Sequence, residues 1–156
     1  MDYKQFCKIL TSKNPEIQKM VSDTWPRKAG ITAVNQFKEN YRMGGFLDKA
    51  RTPWKRTKRQ DNPKLTKSGK SAASSTYGPL LSARRHLMQE TKCDFRDGEA
   101  IIQNNTPYAS VHNEGGRAGR GHSAFIPKRQ FIGTSQTLGE KIIKMIVKDL
   151  DKLFNH

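Results

Sequence analysis

His112 and Glu114 stand in the His-x-Glu arrangement of zinc deaminases, in which the histidine ligates the metal and the glutamate moves protons. That chemistry also needs a Pro-Cys-x-x-Cys segment downstream of the histidine. Both cysteines of this chain, Cys7 and Cys93, precede His112 and lie far apart in the sequence. The sequence therefore predicts neither a deaminase nor a metal site, and its two thiols predict no disulfide framework.

A glycine-rich run over residues 115–121 contains Arg117 and Arg120. Glycines let backbone N–H groups approach an anion and arginines add positive charge, so the run could cradle a phosphate. The Gly-Lys-Ser or Gly-Lys-Thr ending of a Walker loop is missing, which argues against nucleotide hydrolysis. A flexible Gly/Arg-rich loop over residues 115–125 is the alternative.

Other catalytic patterns are also missing from the sequence. There is no Gly-x-Ser-x-Gly nucleophile elbow. Nothing in the local sequence supports a pairing of Cys7 or Cys93 with His112 as nucleophile and base. We therefore expect a protein that is not an enzyme and that uses no cofactor.

The chain is strongly basic, with 29 Lys and Arg against 14 Asp and Glu and a formal net charge of +15. Such a field favours nucleic acid, anionic surfaces or acidic proteins as partners, or simply keeps an assembly subunit soluble. Nine basic residues fall between Lys49 and Lys70, where Asp61 is the one acid. The prolines, glycine and small polar residues of this segment predict a flexible basic loop over residues 49–76.

Six basic side chains are candidate contacts for an anion or a nucleic acid: Lys55, Arg56, Lys58, Arg59, Arg117 and Arg120. Trp54, the aromatic residue of the first loop, has two interpretations. It either clamps the loop onto the body by burying its ring, or it stacks on a base. Interleaved aromatics are otherwise missing from the loop, which favours the clamp.

Length predicts one domain over residues 1–156 with a modest core. The hydrophobic content of 34% is low for a self-sufficient globule, which indicates either disordered segments or a fold completed by association. No apolar run approaches the roughly 20 residues of a membrane span, and the first residues do not form a signal peptide. We therefore expect a soluble, unexported protein without membrane contact.

Apolar spacing predicts helices in the first part of the chain, and we expect them to pack in the core. The apolar face of the first predicted helix is interrupted at residues 12–15, where Asn14 would cap a new helix and Pro15 would begin it. Pro26 would begin the next helix, and Gly44 with the glycine after it would end that helix.

Shorter elements follow in the second half. Residues Leu80 to Met88 suggest a short helix, and the segments Thr91 to Phe95 and Glu99 to Gln103 read as strands joined by an Asp97-Gly98 turn. An amphipathic helix from Thr134 or Ser135 onward should dock on the sheet.

Two segments carry the most specific pattern: Tyr108-Ala109-Ser110-Val111-His112-Asn113-Glu114-Gly115-Gly116 and Ile126-Pro127-Lys128-Arg129-Gln130-Phe131-Ile132-Gly133. They match Tyr-Ala-x-x-His-x-x-Gly-Gly, followed after a variable loop by Ile-Pro-x-Arg-x-Phe-x-Gly. In this pattern the chain resembles the phage virion morphogenesis (tail completion) family of Mu-like and related tailed phages.

The resemblance implies a non-enzymatic assembly protein of the tail end or the head-tail junction. Such a protein would reside in the virion, and in the host cytoplasm during assembly. It would self-associate into a ring, with a hexamer as the expected size. Its other partners would be phage tail or neck proteins, with DNA as a further candidate contact.

The motif also has a physical interpretation without catalysis. Its expected structural residues are Tyr108, Gly115, Gly116, Pro127, Phe131 and Gly133. Tyr108 can bury its ring with its hydroxyl bonded, the glycine pair permits a tight turn, Pro127 suits a strand start or edge, and Phe131 can fill the core.

Three charged or titratable motif residues, His112, Glu114 and Arg129, are the candidates for contacts with another subunit or partner. Arg129 could pair with Glu114 across the two halves of the motif, and such an exposed pair would serve to orient them.

Together these patterns predict an α+β fold with N-terminal helices, a small and mainly antiparallel sheet with a long basic loop, and a C-terminal amphipathic helix packed on the sheet. Two functions stay open. One is structural virion assembly in tail completion or head-tail joining. The other is a basic nucleic-acid-binding module that uses the Lys/Arg-rich loops, although no known reading element is present.

Overall fold

Two long helices open the chain. The computed structural model describes residues 2–70, 72–96 and 98–155. Helix α1 spans Tyr3–Lys19, a π-helical turn spans Met20–Thr24, and α2 spans Trp25–Met43. Pro26 lies in the first turn of α2 and Gly44 ends it, as predicted. None of the helices in the described ranges is long and apolar enough to cross a membrane.

Helix α1 differs from the prediction in two ways. Pro15 lies inside the helix, so the break expected at residues 12–15 is wrong. The helix runs through the proline, although an internal proline removes one hydrogen bond and crowds the preceding turn. α1 contacts mainly the π-helical turn, and its side chains Tyr3 and Leu10 are exposed. Core packing is therefore confirmed for α2, which buries Phe37 and Tyr41, but not for α1.

Strand pairing is antiparallel throughout the described residues, where it forms three separate hairpins. The strands are β1 (Gly45–Leu47) with β2 (Arg51–Pro53), β3 (Thr91–Arg96) with β4 (Glu99–Asn104), and β5 (Gly116–Ala118) with β6 (Ala124–Ile126). The β3–β4 hairpin confirms the prediction, although Asp97 of its expected turn lies outside the described residues. The α+β class is also confirmed.

Helix α2 joins the hairpins to the C-terminal helix. It packs on β3 and β4 through Gly30, where a Cβ would lie 2.5 Å from Sγ of Cys93. Helix α7 (Gln136–Phe154) begins after Ser135, whose hydroxyl caps the helix, and lies mainly along α2. Its residue Leu138 shares a buried cluster with Phe37 and with Phe46 of β1. The C-terminal helix thus reaches the strands at its first turn.

The basic segment, predicted as a flexible loop over residues 49–76, contains short regular elements. Besides β2, it holds helix α3 (Lys58–Asp61) and helix α4 (Ala73–Thr76). The helix expected over Leu80 to Met88 is reduced to α5 (His86–Gln89). Leu80 and Arg85 have φ values of +62° and +48°, and this left-handed backbone prevents an earlier helix start.

Candidate functional site

The two halves of the motif form one hydrogen-bonded unit. The first half contains helix α6 (Ala109–Glu114), and the second half begins at Ile126, the last residue of β6. Oδ1 of Asn113 accepts the backbone N–H groups of Phe131 and Ile132 at 2.9 and 3.0 Å. The backbone N–H of Arg129 donates to the carbonyl of His112 at 2.8 Å. The segments therefore hold each other in register independently of the hairpin between them.

Gly115 makes the close approach of the two halves possible. Its φ is +78°, and a Cβ at this position would lie 2.8 Å from the backbone nitrogen of Lys128. A larger residue would meet both strain and a backbone clash. The chain then enters β5 at Gly116, so the predicted loop over residues 115–125 is a β5–β6 hairpin, with Pro127 directly after its second strand.

Arg129 points inward, and its predicted pairing with Glu114 is wrong. The Arg129 side chain is 7% exposed, and its Nε and Nη2 atoms donate to the carbonyl of Lys55 at 3.2 and 3.1 Å. Glu114 instead lies 3.7 Å from Nζ of Lys128. A guanidinium can satisfy its donors on a carbonyl as well as on a carboxylate, and this contact ties the motif to the basic segment.

Phe131 fills the core as predicted, with 1% of its surface exposed. Its ring lies 5.1 Å from that of Tyr41, which in turn meets the ring of Trp54 edge-on at 5.9 Å. Nε1 of Trp54 donates to the carbonyl of Gln130 at 3.0 Å. The buried Trp54 therefore confirms the clamp interpretation. Gly133 follows, with Phe46 near it.

Tyr108 matches its prediction in part. Its hydroxyl is 2.9 Å from Nδ1 of His86, and its ring meets that of His112 edge-on at 5.9 Å. The hydroxyl bond is therefore confirmed, but the residue is 42% exposed rather than buried, because it lies along the wall of a surface cleft.

This surface cleft has a volume of about 450 Å³, and we call it the basic cleft. Its basic residues are Lys58, Arg59, His86, His112 and Arg129. Apolar walls come from Leu80, Leu81 and Leu87. No acidic side chain is among the described residues that line it. Helix α3, helix α5 and both halves of the motif thus converge on one concave, positive surface.

Burial, followed by the charges of neighbouring cations, determines the electrostatics of the basic cleft. Burial lowers the pKa of Arg129, and the charge of Arg59 lowers it further. Burial, followed by the charge of Arg129, lowers the pKa of His112. Both effects have the sign expected when cations are desolvated beside one another. Burial and the neighbouring positive charge therefore both favour neutral imidazole at His112.

The six predicted anion contacts do not form one site. Lys55 and Lys58 are exposed, and Arg56 forms an ion pair with Asp61 at 2.9 Å. Arg59 turns inward, and its Nη2 donates to the carbonyls of Gly78 and Leu81. Arg117 and Arg120 are exposed on the β5–β6 hairpin. Lys58, Arg59 and Arg129 come together, whereas the hairpin arginines are not part of the cleft.

Sequence reasoning missed three residues that build this site. Asn113 joins the motif halves, and Asn40 of α2 is fully buried, with its Nδ2 donating to the carbonyl of Phe131 at 3.2 Å. His86 lines the basic cleft. For Asn113, its position inside the motif was the one sequence signal that could have pointed to the site. Asn40 and His86 had no such signal. In the ranges that the structure covers, no three His, Cys, Asp or Glu side chains are grouped so as to hold a metal.

Comparison with known proteins gives a consistent result. The model of the phage virion morphogenesis family matches residues 48–151. The chain is 33% identical over 107 residues to the Mu-like prophage FluMu G protein 2 of Haemophilus influenzae (strain ATCC 51907 / DSM 11121 / KW20 / Rd), a match over 68% of this chain and 62% of that protein. The chain thus spans less than two thirds of the length of this relative. No solved structure matches.

Proposed function

This chain belongs to the phage virion morphogenesis family, and we propose that it acts in virion assembly as a structural, non-catalytic protein of tail completion or head-tail joining. The observation that carries this proposal is the extent of the family match, which runs from the basic segment to α7 and includes the whole motif. The motif residues in the structure bond to backbone and core, as a framework would, and leave the hairpin and cleft surfaces for partners.

Self-association into a ring is part of this proposal, with six copies as the expected number. The β5–β6 hairpin is the proposed contact, because its Phe125 is 73% exposed and both of its strands are short edges. An exposed aromatic beside unpaired strand edges suits pairing with another chain. Glu114 is exposed at the base of the hairpin and His112 is half-buried, so both can contribute. Arg129 would act indirectly by holding the motif.

Deletion of the gene from its parent phage or prophage tests the proposal. Lysates would be examined by electron microscopy and plated for infectious particles. We expect filled heads and tails that remain unjoined or have abnormal ends, and infectivity restored when the gene is supplied in trans. Normal infectious virions from the deletion would refute the proposal. Light scattering on the purified protein at low and moderate salt tests the ring, since a specific ring should survive moderate salt.

A nucleic-acid-binding module is the second candidate, favoured by the exposure of Lys55, Lys58 and the hairpin arginines. The ion pair of Arg56 and the inward position of Arg59 reduce the charge available to a phosphate backbone. Each phosphate contact would add about 0.9 to the salt slope of duplex binding. Replacement of Lys55, Arg56 and Lys58 by glutamine should therefore lower that slope if this candidate is right, and leave oligomer size unchanged.

A further inference from the structure

We propose that the basic cleft is a binding site for a carboxylate, supplied by an acidic segment of a partner protein. The first observation is an excess of buried positive charge. Arg129 is buried, with 7% of its surface exposed, and Arg59 lines the same cleft and is half-buried. Within the described residues, neither guanidinium has an acidic partner. Burying like charges without a counter-ion is costly, so an external anion would relieve the cost.

The second observation is the presence of unused polar atoms in the same cleft. In the described part of the chain, two buried side-chain nitrogens have no hydrogen-bond partner, and they are Nε of Arg59 and Nδ1 of His112. Both residues line the basic cleft. Buried polar atoms are normally satisfied, so orphans of this kind indicate a missing partner. An anion in the cleft can accept from Nε of Arg59, and it can also accept from Nδ1 of His112 in the neutral tautomer that carries its hydrogen on that nitrogen.

The apolar walls of the cleft favour a protein carboxylate over a nucleic-acid phosphate as the bound anion. Leu80, Leu81 and Leu87 make much of the surface apolar, which suits the methylene groups of a glutamate or the side chain of a carboxy-terminal residue. A flexible side chain can enter a concavity of about 450 Å³, whereas a duplex presents its phosphates on a convex rod. The +15 charge of this chain makes a different, acidic protein a better source than a second copy.

The test uses the whole protein and two peptides, acetyl-triglutamate amide and its triglutamine analogue, at about 0.15 M salt, where exposed charges more than about 8 Å apart are largely screened. Titration calorimetry should show saturable binding of triglutamate and about tenfold weaker binding of triglutamine, as the loss of charge-assisted hydrogen bonds predicts. Arg59→Gln should weaken triglutamate binding about tenfold, and Arg56→Gln, the exposed neighbour, should change it less than about twofold. Equal weakening by both variants would overturn the proposal.

A measurement on the unaltered protein covers the case in which Arg59→Gln fails to fold. Side-chain NMR resonances of His86 and His112, both in the cleft, should shift when triglutamate is added, whereas those of His122, exposed on the β5–β6 hairpin, should not. A shift confined to His122, or no shift at saturation, would overturn the proposal. If a short DNA duplex displaces the peptide from the cleft, as followed at His86 and His112, the proposal would be overturned in favour of a phosphate ligand. These results do not depend on the proposed function, which the gene deletion tests separately.

Discussion

Asn113 and Phe131, 18 residues apart, are joined by a hydrogen bond in which the backbone N–H of Phe131 donates to Oδ1 of Asn113 at 2.9 Å. Asn40 reaches the same residue from α2, since its Nδ2 donates to the Phe131 carbonyl at 3.2 Å. Both backbone groups of a buried phenylalanine are therefore satisfied by asparagine side chains. The two halves of the motif and helix α2 are therefore joined at Phe131.

Asn113→Ala should destabilise the fold by about 1–3 kcal/mol, because it leaves the N–H groups of Phe131 and Ile132 without their acceptor. Chemical denaturation followed by circular dichroism would measure the loss. The neighbouring Glu114→Gln is the matched control, and since Glu114 is exposed its effect should stay within about 0.5 kcal/mol. Equal effects of the two substitutions would show that the Asn113 contact does not hold the motif together.

Gly30→Ala should destabilise the protein by about 1–3 kcal/mol through overpacking. The added methyl group would lie 2.5 Å from Sγ of Cys93 and 2.9 Å from the ring of Phe95, so α2 would have to move away from β3. Gly139→Ala on α7 is the control, because nothing lies within 4 Å of a Cβ there and alanine should stabilise the helix by up to about 1 kcal/mol. Thermal melts with opposite shifts would confirm the packing; shifts of the same sign would contradict it.

His112 should make the stability of the fold depend on pH. Its pKa is lower in the folded protein because of burial and the charge of Arg129, so the unfolded chain binds more protons between the two pKa values. Stability should therefore be full above the unfolded value of about 6.5 and fall as the pH drops from that value to the folded value.

The comparison variant for this dependence is His112→Gln, measured by Tm between about pH 7.5 and pH 5, a window that spans the ordinary histidine pKa. The variant should show a flatter profile than the unaltered protein. His122→Gln, at an exposed hairpin position, should keep the original profile. The carboxyl groups of Glu90 and Asp149 have lowered pKa values and stay ionised across this window. A profile unchanged by His112→Gln would exclude His112 as its source.

Local signals in the sequence were sufficient for several elements. The Asp97-Gly98 turn signal predicted the β3–β4 hairpin, and the positions of Pro26 and Gly44 predicted the ends of α2, because turn and cap chemistry act within a few residues. Burial of Phe131 and Trp54 was also predictable, since large aromatic side chains favour the core.

The contacts that build the site were not predictable in the same way. Arg129 donates to the carbonyl of Lys55, and Asn40 to that of Phe131, 74 and 91 residues away. A polar residue in a single sequence is normally read as exposed, and only the tertiary fold shows which distant backbone group satisfies it. The basic cleft depends on the same information, because Arg59 and His112 come from separate segments.

Phe131→Ala should cost about 3–5 kcal/mol of folding stability, because it opens a cavity beside Tyr41 in the core. Phe125→Ala, which removes the same ring from a site with 73% exposure, should change monomer stability by less than about 0.5 kcal/mol. Denaturant titration of both variants measures the contrast. A large loss with Phe125→Ala would mean that the hairpin is part of the core rather than a free surface.

Phe125→Asp should then separate folding from assembly. If the β5–β6 hairpin forms the contact between copies, a charge at its exposed aromatic position should reduce the mass measured by light scattering while the circular dichroism spectrum stays unchanged. Leu65→Asp provides the control, because Leu65 is similarly exposed at 68% but lies in the basic segment; its oligomer should be normal. Oligomers of unchanged size with Phe125→Asp would exclude the hairpin as the subunit contact, and loss of the oligomer with both variants would indicate that general surface charge, not a specific contact at Phe125, controls association.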